Sequence, residues 1–86
     1  MFMKKVVMYI KTYCPYCKKA TELLASKGVE FTKIDVMENE QLFDEIKQKT
    51  GSKTVPQIFI DDEFIGGCDD LHALDASKKL DAMLGL

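Results

Sequence analysis

The chain has 86 residues, 47% of them hydrophobic, with 12 basic and 14 acidic side chains and a net charge of −2 at pH 7. That length predicts one domain, spanning residues 1–86, with apolar material for one modest core. The two signs of charge are interspersed, which argues against the basic face of a nucleic-acid binder, and no stretch approaches the roughly 20 apolar residues of a membrane span.

From the amino terminus, Met1 to Ile10 does not read as a secretory leader. Lys4 and Lys5 interrupt it, and no long apolar stretch with a small-residue cleavage site follows. The expected location is therefore the cytoplasm, a reducing compartment where permanent disulfides are rare; an odd count of three cysteines agrees. Between Lys5 and Lys11 runs Val6-Val7-Met8-Tyr9-Ile10, an unbroken apolar stretch that predicts a strand covered on both faces at the centre of a sheet. Pro15 suits the first turn of a helix, where its missing N–H is not needed. Ala20, Leu23 and Leu24 then recur at helical spacing, and Gly28 is a C-terminal stop.

Val29 to Val36 predicts a second strand whose alternation slips between Phe31 and Ile34. Asn39 to Lys49 places Leu42, Phe43 and Ile46 on one helical face, with Gly51 to end it. Gln57-Ile58-Phe59-Ile60 and Glu63-Phe64-Ile65 are short strands, and Asp61-Asp62 between them suits a tight hairpin because Asp tolerates turn conformations. After Gly66-Gly67, the leucines and methionine at 71, 74, 80, 83 and 84 predict one final helix with acids at its start. The order β-α-β-α-β-β-α predicts an α/β protein: a mixed four-stranded sheet flanked by three helices, its first β-α-β parallel and right-handed and its hairpin antiparallel.

The chemistry is concentrated at Cys14-Pro15-Tyr16-Cys17. A helix starting at Pro15 makes Cys14 its cap, facing unpaired N–H groups and the positive end of the helix dipole; Lys11, Lys18 and Lys19 add positive charge, and this setting favours a thiolate. Cys17, one turn further in, is the less exposed sulfur and close enough to attack a mixed disulfide formed on Cys14. A metal is the competing use of this spacing. Cys68 and His72 are one helical turn apart, and with Cys14 and Cys17 they make up the donor set of a three-Cys, one-His zinc site. The strand–loop–helix setting of the pair favours thiol–disulfide exchange, with no metal expected.

Three motifs in order, Lys11-Thr12-Tyr13-Cys14-Pro15-Tyr16-Cys17, Thr54-Val55-Pro56 and Gly66-Gly67-Cys68-Asp69-Asp70, resemble the glutaredoxin family, most closely its small bacterial dithiol members. The resemblance covers essentially the whole chain. It implies a thioredoxin-like fold, a cis bond before Pro56, and a redox disulfide between Cys14, the nucleophile, and Cys17, the resolving thiol. It also implies glutathione as co-substrate, with disulfide-containing or glutathionylated proteins as partners, ribonucleotide reductase among the candidates. Nothing demands more than a monomer. Glutathione carries two carboxylates and one ammonium. Lys11 and the first N–H groups of the last helix, at Gly67, Cys68 and Asp69, suit the carboxylates; Asp69 or Asp70 suits the ammonium. Val55 offers its backbone as a strand partner, with Tyr16, Thr54 and Pro56 as walls. Tyr13 is a further candidate.

One position departs from the family pattern. Where many glutaredoxins carry a Gln or Arg on the second helix to hold a glutathione carboxylate, this chain has Phe43; Gln48, Lys49 or Lys11 alone are the expected substitutes. That departure motivates an alternative, a glutaredoxin-like carrier reduced by thioredoxin reductase. A bridged iron–sulfur cluster is a further one, disfavoured by Pro15.

Overall fold

A computed structural model describes residues 5–85, so Lys4 and the outer bounds of the expected domain lie outside it. The elements are β1 (Val6–Ile10), α1 (Pro15–Ser26), β2 (Phe31–Asp35), α2 (Glu40–Thr50), β3 (Gln57–Ile60), β4 (Glu63–Gly66), α3 (Cys68–Ala76) and α4 (Leu80–Leu84). The sheet order is β2-β1-β3-β4, with β1 parallel to β2 and both remaining pairings antiparallel. This is the expected thioredoxin-like arrangement.

Successive strand residues face opposite sides of a sheet, and here the two sides are covered differently. Val6 and Met8 lie opposite Ile60 and Ile58, and all four belong to the core that Ala20 and Leu24 of α1, Leu71 of α3, and Leu80 and Leu84 of α4 complete. Burial of each Val, Leu, Ile or Met among these contributes about 1.5–3 kcal/mol relative to exposure. Tyr9 and Phe59 point the other way and meet edge to face, 5.6 Å between centroids. β1 is therefore not sealed on both faces as its apolar run suggests: Val7, Tyr9 and Ile10 are only half-buried. β2 is shorter than expected. It is an edge strand whose Thr32, Lys33 and Asp35 are exposed, and Val29 and Val36, which flank it, are the residues that reach the interior. That is why its alternation slips.

Local chemistry sets the helix ends. Asn39 accepts the Leu42 N–H at 3.1 Å to open α2, and Gly51 closes it in the left-handed region at φ 75°. The β3–β4 hairpin turns at Asp61 and Asp62, both at positive φ, as a two-residue loop compatible with strand twist demands. The last helix departs from expectation. It is broken by Ser77-Lys78-Lys79, with Lys78 at φ 64°, into α3 and α4. Leu74 and Leu80 are six residues apart, roughly 240° round a continuous helix, so one helix cannot aim both at the core. The break lets Leu80 and Leu84 become fully buried. Lys27 at the end of α1 fastens this corner through ion pairs to Asp75 (2.5 Å) and Asp81 (2.8 Å).

Candidate active site

β1 runs out at Ile10, and Lys11 to Tyr13 form the turn into α1, closed by the Cys14 N–H donating to the Lys11 carbonyl at 3.2 Å. Cys14 is the cap of α1 and Pro15 its first residue. The Cys17 N–H donates to Cys14 Sγ at 3.2 Å, so the sulfur takes the role that a Ser or Asp oxygen plays at other helix starts. Cys14 is half-buried, whereas Cys17 is 3% exposed. Burial pushes the Cys17 thiol up to about 12 from an ordinary 9.0, with the hydrogen bond to Cys14 the next cause. The pair is thus asymmetric: one reachable sulfur held against a helix N-terminus, one sulfur kept protonated behind it.

Facing Cys14 is the loop before β3. The Val55–Pro56 bond is cis, and the Cys14 thiol donates to the Val55 carbonyl at 3.7 Å. The loop is anchored by a buried amide that sequence reading did not single out. Gln57, 0% exposed, donates to the Ser52 carbonyl and accepts from the Thr50 hydroxyl, both at 2.8 Å. The signal available was a polar residue opening an otherwise wholly apolar strand.

The third wall is the start of α3. Gly67 has no side chain to hold it away from the loop; a Cβ there would meet the Pro56 carbonyl oxygen at 3.3 Å. The Gly67 N–H donates to Asp70 Oδ2 at 3.1 Å, and Asp70 also fills the space where a side chain on Gly66 would stand. Of the two acids proposed for an ammonium, Asp70 is therefore committed to the helix start, and Asp69 stands exposed beside it. Cys68 is buried, and burial, then the Asp69 charge, raises its thiol.

Tyr16, Thr54, Val55, Pro56, Gly67, Cys68 and Asp69 line one cleft of about 550 Å³, together with Ser52, Phe64, Gly66 and Asp70. Neither Cys14 nor Cys17 is among these lining residues, and of the expected glutathione contacts Lys11 and Tyr13 also lie elsewhere, Lys11 in a separate pocket of about 260 Å³ with Phe43 and Lys47. Tyr13 is 70% exposed. Phe43 is buried and cannot offer a hydrogen bond, and Lys49 lies over the Phe59 ring instead of near Phe43. The residue that does reach Phe43 from α2 is Lys47, which the sequence did not bring forward. His72 is exposed on α3, and no group of three or more His, Cys, Asp or Glu side chains gathers at metal-holding distance among the described residues. No helix among them is long and apolar enough to cross a membrane.

A cysteine pair at a helix start, facing a cis-proline loop on a thioredoxin-like sheet, defines a thiol–disulfide oxidoreductase. The family model described as glutaredoxin matches residues 6–65. Over 82 residues the chain is 50% identical to the glutaredoxin of Pseudomonas aeruginosa, covering 95% of this chain and 98% of that one. It is equally similar to glutaredoxin 3 of Escherichia coli strain K12, at 95% and 99% coverage. Among solved structures, a buckwheat glutaredoxin–glutathione complex superposes with a TM-score of 0.91 at 32% identity, over 95% of this chain and 77% of that one. A Brucella melitensis glutaredoxin does so at 0.86 and 46%, over 95% and 89%. The chain belongs to the glutaredoxin family.

Proposed function

We propose that the protein is a dithiol glutaredoxin, reducing glutathione mixed disulfides and protein disulfides at the expense of glutathione, with Cys14 as nucleophile and Cys17 as resolving thiol. The observation that carries this is the asymmetry of the pair: Cys14 Sγ is reachable and accepts a backbone N–H, while Cys17 is buried and protonated.

In the one-thiol route, the Cys14 thiolate attacks the glutathione sulfur of a mixed disulfide. A Cys14–glutathione disulfide forms, and the substrate leaves as a thiolate that takes up a proton. A second glutathione thiolate attacks that disulfide, releasing oxidised glutathione and restoring the Cys14 thiolate. With a protein disulfide, Cys14 attacks one substrate sulfur; the substrate S–S bond breaks, and its other sulfur leaves as a thiolate that takes up a proton. Cys17 then gives up its proton, attacks Cys14 and expels the second substrate thiol, leaving a Cys14–Cys17 disulfide for two glutathiones to reduce. Two of the causes that hold the Cys17 proton, the hydrogen bond and the charge of Cys14, vanish once Cys14 is in a disulfide.

The cleft supports a matching set of contacts. The Val55 backbone pairs with the cysteinyl part of glutathione as a short added strand, between Tyr16, Thr54 and Pro56. The first N–H groups of α3 left free beside Gly67, those of Cys68 and Asp69, take the γ-glutamyl carboxylate, and the Asp69 carboxylate takes its ammonium; the Gly67 N–H is held by Asp70. Lys11 takes the other carboxylate. We infer a monomer acting in the cytoplasm on glutathionylated or disulfide-bearing proteins, with ribonucleotide reductase a candidate, and no metal in the cycle.

The test is reduction of a small glutathione mixed disulfide, coupled to glutathione reductase and NADPH consumption. Cys14→Ser is expected to abolish turnover, and Cys17→Ser to retain it. Turnover surviving in Cys14→Ser would remove the assigned nucleophile. A wild type inactive with glutathione but reduced by thioredoxin reductase would establish the alternative that Phe43 motivates.

A further inference from the structure

Two cations meet on one aromatic ring beside the cleft. Lys11, just past the end of β1, and Lys47, one turn beyond Phe43 on the same face of α2, hold their ammonium groups 4.8 and 4.6 Å from the Phe43 ring centroid. Val36 and Met37 complete an apolar floor, and two acids, Glu40 and Asp44, share the pocket. Lys47 is paired with Asp44 at 3.1 Å, and the Asp44 side chain is 64% exposed.

We propose that Lys47 is a specificity-determining residue which, together with Lys11, binds the carboxylate at the glycine end of glutathione, with the Phe43 ring as the platform that holds both ammonium groups. The inference rests on the glutathione reading above and names the residue that serves one end of that substrate. The two ends of glutathione differ in chemistry. The γ-glutamyl end carries an ammonium and a carboxylate, which the exposed Asp69 and the start of α3 match. The glycine end carries a carboxylate alone, so its complement is cationic with no acid requirement. Lys11 and Lys47 supply that complement on the opposite flank. Cys14 is bonded to both flanks, by its N–H to the Lys11 carbonyl and by its thiol to that of Val55. A tripeptide joined through its central sulfur to Cys14 therefore extends one end towards each.

The acids decide how strongly Lys47 acts. Asp44 competes for the same ammonium, but an exposed ion pair is weak, and the incoming carboxylate gains two cations where Asp44 has one. Removing Asp44 should thus improve binding, a sign opposite to that of removing Lys47. Glu40 repels the ligand and sets a ceiling on its affinity.

The experiment measures kcat and KM for two small mixed disulfides, one of glutathione and one of glutathione amidated at its glycine carboxylate. It uses the wild type, Lys47→Met, Lys47→Arg, Asp44→Asn and, as a control on the same helix, Lys49→Met. With glutathione, Lys47→Met is expected to raise KM about threefold to tenfold with kcat nearly unchanged, the loss of one partly screened charged contact. Lys47→Arg should restore most of it, Asp44→Asn should lower KM, and Lys49→Met should do nothing. With the amide, wild type and Lys47→Met should have the same KM. A Lys47→Met KM within twofold of wild type, or an equal penalty on the amide, overturns the assignment of Lys47 while leaving the glutathione reading standing. A wild type that turns over neither disulfide overturns that reading, and this inference with it.

Discussion

The two flanks of Cys14 are built from different materials. On one side the wall is backbone: the cis Val55–Pro56 loop and the start of α3, in contact through Gly67 and pinned by Gln57 and Asp70. On the other side it is side chain: two lysines on long stems lying over a phenylalanine. A backbone wall needs particular residues only where the chain must turn or approach closely, so it is written in Gly, Pro and a few hydrogen-bonding side chains. A side-chain wall can move its charge from one helical position to another a turn away, as the pairing of Phe43 with Lys47 illustrates. The first flank is therefore rigid and conspicuous in sequence, the second adaptable and hard to see.

The contrast breaks most sharply at Gly66. A Cβ there would sit 2.2 Å from Asp70 Oδ2 in a backbone at φ 126°, a region essentially closed to other residues. Gly66→Ala should destabilise the fold by about 3 kcal/mol in urea unfolding, since the strain and the displaced Asp70 add. A loss below about 1 kcal/mol would mean that this wall yields as readily as the lysine side. Next in size is Gln57→Leu, which leaves the Ser52 carbonyl without its donor at the base of the loop. About 1–3 kcal/mol should go, and KM for a glutathione mixed disulfide should rise because Val55 is no longer held. Stability falling with KM untouched would show that the network supports the core and not the cleft.

The smallest effect belongs to the turn that carries Lys11. Asp35 accepts the Thr12 hydroxyl, the main cause, and the Met37 N–H, and both hold its carboxyl below the ordinary 3.8. Their contribution to stability is present above pH 3.8 and is lost as pH falls through the lowered value. Thr12→Val should move the Asp35 titration, followed by NMR, back towards 3.8, with kcat at neutral pH little changed. An unmoved titration would show that the turn stays fastened by Met37 alone.

Much of the fold was legible because its punctuation is local. Pro15, Gly28, Asn39, Gly51 and Asp61-Asp62 each act on the nearest turn of chain, and each marks an element boundary or turn within a residue or two of where it was read. The break between α3 and α4 was missed because Ser77-Lys78-Lys79 contains neither Gly nor Pro; only the six-residue gap between Leu74 and Leu80 betrayed it. In the site, the cysteine motif could be placed at its helix start from the residues themselves, whereas the proline loop and the glycine pair were placed by the resemblance to the family. The roles of Asp70, Gln57 and Lys47 could be placed by neither, because each depends on which neighbour a side chain meets after folding: a helix start, a loop carbonyl, an aromatic ring.

The burial of α4 bears on how the protein is made. One continuous core joins Val6 and Met8, near the start of the chain, to Leu80 and Leu84, near its end. During synthesis that core stays open until the last of these leucines has left the ribosome, and until then the burial that protects Cys17 and Cys68 is incomplete. A nascent chain therefore exposes three sulfurs where the finished protein offers one. Its vulnerability to oxidation is greatest before it can act as an oxidoreductase at all.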